Sequence, residues 1–192
     1  MPKARCKLCM LLAVAGPLIP LAGIAVAATL ASGWWSFWDN AFSDLGNPRY
    51  DPVTAIVFNS ALYTGAVLIT VYAVLCIPRA GGLEAVLLAL VGFTLGLVAV
   101  FDETYGHAHF VASAAFFLAM IPYVIAYSAK RSPKLLATAA LGTASTSLLW
   151  YMHLVRDTPP GAAPPELTSI ILLLAFYTLH AREVLGGCGG AG

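Results

Sequence analysis

The chain has 192 residues, 60% of them hydrophobic and only 10% charged, where a soluble domain carries about 25% charged residues. So few charges leave too little polar surface to clothe a globule in water, so lipid is the solvent expected for most of this surface. The formal net charge of +1, with no long Lys/Arg stripe, excludes the basic footprint of a nucleic-acid binder.

Six apolar runs follow one another at 10–31, 52–77, 84–101, 107–128, 135–151 and 166–180. Each is near the ~20 residues that cross ~30 Å of hydrocarbon, the third and sixth lying at the short end. A spanning chain has to satisfy its own backbone, so the runs are expected as helices. The first exceeds the apolar length of a signal peptide and is expected to be retained. Pro78 and Gly81-Gly82, Ser132-Pro133, Pro159-Pro160 and Pro164-Pro165 punctuate the connections, and Asp51-Pro52 has the form of an N-cap followed by a first helical position. The expected architecture is an all-α membrane protein, one six-helix bundle over residues 1–185, with a flexible Gly-rich tail at 186–192.

Charge sets the expected orientation. With both termini in the cytoplasm, Lys3, Arg5, Lys7, Arg79, Lys130, Arg131, Lys134 and Arg182 fall inside, and only Arg49 and Arg156 outside. That is the positive-inside bias of a multi-pass protein of the cell membrane. Cys6, Cys9, Cys76 and Cys188 then all lie at the cytoplasmic side, where disulfides are rare, and are expected as thiols. The single Cys6-x-x-Cys9 supplies two ligands where structural zinc needs four.

The first outer loop, residues 32–51, places Trp34, Trp38, Phe42 and Leu45 at helical spacing, with Gly46 and Pro48 beyond. This reads as a short amphipathic helix in the outer interface, or as an aromatic belt. Either arrangement sets Asp39, Ser43 and Asp44 at headgroup level. His107 and His109 open the fourth run after the turn Asp102-Glu103-Thr104-Tyr105-Gly106, and His153 closes the fifth, so these groups converge at the outer side. His180 sits at the far end of the sixth run, roughly 30 Å away. Asn59 and Ser60 lie about 10 Å below the start of the second helix. There they either line the floor of a pocket, with Thr64 and Ser113 as neighbours, or join helices by hydrogen bonds.

The segments Phe42-Ser-Asp-Leu-Gly-Asn-Pro48, Ala55-Ile-Val-Phe-Asn-Ser60 and Gly106-His-Ala-His-Phe-Val-Ala-Ser-Ala-Ala-Phe-Phe117 resemble domain-of-unknown-function family 998, small polytopic prokaryotic, largely archaeal, membrane proteins. The resemblance implies that Ser43, Asp44, Asn59 and His107 are the family's motif polar positions, and it brings no settled activity. The Ser, Asp and His content is also similar to a membrane hydrolase superfamily that includes alkaline ceramidases. This chain departs from that superfamily in having six runs rather than seven, and in lacking a second His near His180.

Three readings follow. The first is binding of a lipid headgroup or small polar ligand in an outward-facing pocket, without a cofactor, through Ser43, Asp44, Asn59, Asp102 and His107. The second is metal-dependent hydrolysis of a lipid ester or amide, with His107, His109, His153 and Asp44 as candidate zinc ligands. The third is a structural membrane organiser. Membrane lipid is the partner expected in the first two.

Overall fold

The computed structural model describes residues 2–77 and 82–188. Six helices account for most of them: α1 (Lys3–Leu30), α2 (Pro52–Cys76), α3 (Gly82–Val100), α4 (His107–Ala129), α5 (Pro133–Arg156) and α6 (Ala163–Gly186), with no strand among the described residues. All six are long and apolar enough to cross a bilayer, so the chain is a multi-pass membrane protein. The connection around Pro78 and Arg79 and the last four tail residues lie outside the described residues. Gly186 still closes α6, and Cys188 is tied into the bundle.

Local chemistry starts the helices where proline and a polar residue meet. Asp51 accepts the Val53 N–H and the Thr54 hydroxyl before Pro52, and Ser132 accepts the Leu135 N–H before Pro133. Helices α1 to α4 pack in sequence, and α6 closes a ring by touching both α1 and α4. Helix α5 stands outside that ring, against α4 and α6. Only 6% of its most apolar stretch is buried, against 33% to 39% in the other five.

Proline shapes α1 and also tells how it is held. Pro17 has no N–H for the Ala13 carbonyl one turn earlier, and that carbonyl instead accepts the Tyr177 hydroxyl from α6 at 3.0 Å. Gly65 of α2 lies against Pro20, where a methyl group would overlap the proline ring.

Two sequence expectations are corrected. The cysteines are not free thiols: Cys6 pairs with Cys188 and Cys9 with Cys76, with Cα–Cα separations of 5.8 and 5.6 Å, inside the usual range for a disulfide. The ends of α1, α2 and α6 meet at one end of the bundle, here called the terminal end, and that proximity is not readable from cysteine spacing. The first loop is also not an amphipathic helix. It runs through turns to a single 3-10 turn, Ser43–Gly46. Its polar side chains capture the backbone groups a helix needs: Asn40 accepts the Ser36 N–H, and Asp44 accepts the Ala41 N–H. Leu45 is fully buried while Trp38 is 64% exposed, so the residues at helical spacing do not share one face.

The terminal end holds a buried ion cluster. Glu84, 2% exposed in the first turn of α3, receives Arg131 at 2.6 Å, with Lys130 at 3.5 Å and His180 Nε2 at 3.6 Å. Arg131 also bonds Glu183 at 2.7 Å and lies over the Tyr127 ring, so α3, α4 and α6 meet on one guanidinium. Removing one partner of a buried pair strands the other charge, at a cost of about 3–5 kcal/mol, whereas an exposed partner is worth about 1 kcal/mol or less. Arg131→Ala is therefore expected to lower the thermal unfolding midpoint of the detergent-solubilised protein several times more than Lys130→Ala, measured side by side.

Candidate functional site at the loop end

The end of the bundle opposite the termini is closed by a polar cap. Asp44 accepts from Asn40 Nδ2 and from Ala41 N, both at 2.9 Å, which fixes the first loop's turn. Asn59 reaches up from α2 and donates to the Gly46 carbonyl at 2.9 Å. The approach is close enough that a Cβ on Gly46 would lie 2.6 Å from Asn59 Oδ1. The α5–α6 connection docks on the same loop, with Gly161 N–H donating to Trp38 O and Ala163 N–H to Asn40 O.

Two further carboxylates enter the cap from other elements. Glu166, 7% exposed at the start of α6, accepts the Phe42 N–H at 2.6 Å. Glu103, in the 3-10 turn between α3 and α4, accepts from Asn47 Nδ2 at 3.1 Å and from the Ser43 hydroxyl at 3.4 Å. Burial pushes the Glu103 carboxyl up to about 7, and the hydrogen-bonded, like-charged Asp44 adds to the shift. Among the described residues, no Lys or Arg forms a salt bridge with Asp44, Glu103 or Glu166.

Beneath the cap lie two spaces. A cavity of about 90 Å³ sits inside the helix ring, its walls apolar except for Ser43, Ser113 and Glu166. A groove of about 410 Å³ runs between α4, α5 and α6, lined by apolar side chains with Ser113, Thr146, Ser147 and Ser169 among them. Its rim lies at the outer surface of the bundle, with Leu118 63% and Leu154 61% exposed. Ser113 and Phe117 line both spaces. Within the groove Trp150 Nε1–H donates to the Ser169 hydroxyl at 3.1 Å, and the Trp150 ring packs on Phe117 at 4.8 Å.

The residues singled out from sequence separate into groups. Ser43 lines the cavity, and Asp44 and Asn59 hold the cap above it. Asp102 is spent on its own turn, accepting from Thr104 N–H and its hydroxyl. His107 is exposed and stacks on Phe110. His109 Nδ1 bonds the Phe101 carbonyl at 2.7 Å, and its Nε2 meets the Ser113 hydroxyl at 3.2 Å, while His153 Nδ1 bonds the Pro159 carbonyl at 2.8 Å. Asp102 and His107 therefore do not line the cavity. Nor are His107, His109, His153 and Asp44 gathered as a ligand set, since among the described residues no group of three or more His, Cys, Asp or Glu side chains is disposed to hold a metal ion. The two histidines engaged with carbonyls close helix ends and have a ring nitrogen committed to that task. Glu166 was legible only as an acid opening an apolar run after Pro164-Pro165; its burial depends on the first loop folding over it.

The family model described as Protein of unknown function (DUF998) matches residues 14–183. The chain belongs to this family. No curated protein and no solved structure matches the chain. Family membership thus confirms the resemblance seen in the Phe42–Pro48, Ala55–Ser60 and Gly106–Phe117 segments without bringing an activity.

The raised Glu103 carboxyl gives the cap a pH dependence. An acid whose folded pKa lies above its unfolded value stabilises the fold fully below the unfolded value of 4.5, and that contribution is lost as pH rises through about 7. Amide hydrogen exchange in residues 40–47, corrected for intrinsic rate, is expected to accelerate between pH 5 and roughly 8. Glu103→Gln is expected to flatten that profile.

Proposed function

We propose that this protein binds a membrane-borne, single-chain amphiphile whose small head is uncharged or cationic. The head occupies the cavity beside Ser43 and Glu166, and the chain lies in the groove between α4, α5 and α6. The observation that carries this reading is that Ser113 and Phe117 line both spaces, so the side chains of these two residues stand between a pocket bordered by Glu166 and the groove on the outside of the bundle.

Three physical arguments support it. A cavity of about 90 Å³ is too small for a whole lipid but large enough for a hydroxyl or ammonium head, since apolar cavities near 150 Å³ already admit benzene. Glu166 is the carboxylate of the cavity wall and, like Asp44 and Glu103 in the cap, has no Lys or Arg partner among the described residues, so a phosphate head meets like charge, and an ammonium or hydroxyl meets an acceptor. Glu166 uses one oxygen on the Phe42 N–H and has the other for a ligand. The hydroxyls of Ser113 and Ser169 each lie six residues into their helices, about 9 Å below the helix start. Both border the groove; Ser169 accepts the Trp150 Nε1–H and donates to the Pro165 carbonyl, and Ser113 meets His109 Nε2. With the positive-inside orientation, the site opens to the outer leaflet of the cell membrane. The hydrolase reading lacks a gathered ligand set, and no cofactor is invoked.

The test is a titration of the protein in phosphatidylcholine vesicles with dodecylamine, dodecanol and dodecyl phosphate, followed by tryptophan fluorescence. Trp35 stacks on Phe42 at the cap and Trp150 lies in the groove, so both ends of the site report. Saturable binding of the amine and the alcohol, but not the phosphate, is expected. Glu166→Gln keeps a carbonyl acceptor for Phe42 and is expected to weaken the amine about tenfold, roughly 1.4 kcal/mol, with little effect on the alcohol. Absence of saturable binding by any of the three, or a phosphate that binds as well as the amine, overturns the proposal.

A further inference from the structure

Cys6 and Cys9 lie one turn apart in α1 but pair at different depths. Cys9–Cys76 is sealed in the core, its two residues 0% and 1% exposed. Cys6–Cys188 joins the start of α1 to the residues just beyond α6, and both of its cysteines are partly exposed. The seams they bridge differ as well. Helices α1 and α2 pack along their length, so Cys9–Cys76 reinforces an extensive interface. Helices α1 and α6 touch at few points, among them the hydrogen bond from Tyr177 to the Ala13 carbonyl. Lys3, Arg5 and Lys7 surround Cys6 in the first turns of α1, all three exposed. Positive charge and a helix N-terminal turn both favour a thiolate, and the sulfur of lower pKa leaves faster in exchange.

We propose that Cys6–Cys188 is a site of thiol–disulfide exchange with a dithiol reductant, and that Cys9–Cys76 is a structural bond that takes no part. One thiolate of the reductant attacks Cys188 Sγ, the Cys6–Cys188 bond breaks, and the electron pair leaves on Cys6. The reductant's second thiolate then attacks its own sulfur in the mixed disulfide, which releases Cys188 and leaves the reductant as an internal disulfide. Two electrons pass to the protein, and each released thiolate takes a proton according to its pKa. Helix α6 thereby loses its covalent tie to α1. Those two helices supply Pro17, Pro20 and Leu21, and Ile170, Leu173 and Leu174, to the cavity wall, so the bond sets how readily that wall opens. The exchange itself is independent of any ligand in the cavity.

The experiment uses the full chain, purified in detergent without reductant and equilibrated with dithiothreitol at graded ratios of reduced to oxidised form. Thiols are blocked with N-ethylmaleimide and mapped by peptide mass spectrometry. Cys6 and Cys188 are expected to become alkylated together in a first step, and Cys9 and Cys76 only after denaturation. In parallel, amide exchange over residues 176–186 is expected to accelerate about tenfold on that first reduction, and equally in Cys188→Ser without reductant. Four cysteines reduced at one ratio, Cys9–Cys76 opening first, or a Cys6–Cys9 disulfide appearing in partly reduced protein would each overturn the assignment. Stepwise reduction with unchanged exchange in α6 overturns the coupling to the cavity wall.

Discussion

Hydrocarbon offers a buried carboxylate no partner, so the fold has to supply one, and this bundle does so at both ends. Glu84 opens α3 at the terminal end and Glu166 opens α6 at the other, each in the first turn of its helix and each nearly sealed from solvent. The macrodipole favours an acid in that position, but a helix start alone does not satisfy two carboxylate oxygens. Arg131 from the α4–α5 connection answers Glu84, and the Phe42 N–H from the first loop answers Glu166. These two pairings bring distant segments to fixed places. The first gathers α3, α4 and α6; the second pulls the first loop down over the ring and roofs the cavity.

The same demand explains the smaller features of the bundle. Where Pro17 frees the Ala13 carbonyl, Tyr177 fills the gap, so a break inside α1 becomes a contact with α6. The cap is made of side chains that satisfy backbone groups no helix would serve: Asn40 and Asp44 within the loop, and Asn59 from α2 below it. Helix α5, which takes part least in this accounting, packs loosely and leaves the groove. Stability and the candidate site therefore come from one arrangement. The tightly answered polar groups build the cap and ring, and the loosely packed helix leaves space beside them.

Much of this was legible in the chain. The six spans, the membrane environment and the helix starts at Asp51-Pro52 and Ser132-Pro133 follow from hydropathy and capping chemistry, because those act over a few neighbouring residues. The importance of Ser43, Asp44 and Asn59 was visible in a motif, although two of the three hold the cap rather than face the cavity. Asp102 and His107 looked equivalent to them in sequence. They differ in space because Asp102 turns back on Thr104 and His107 lies on the exposed face of α4.

The sequence alone determined that this is a six-span membrane protein of the DUF998 family, since lipid selects long apolar helices whatever their arrangement. Only the tertiary structure decided which polar groups meet. It paired four cysteines that the sequence reading expected as thiols and placed His180 with Glu84. It also kept the remaining histidines apart and buried Glu166 under a loop that lies 124 residues before it in the chain. Each of those contacts joins different helices or loops, and the packing of one helix on another is set by shape across the bundle, which no local pattern of residues encodes.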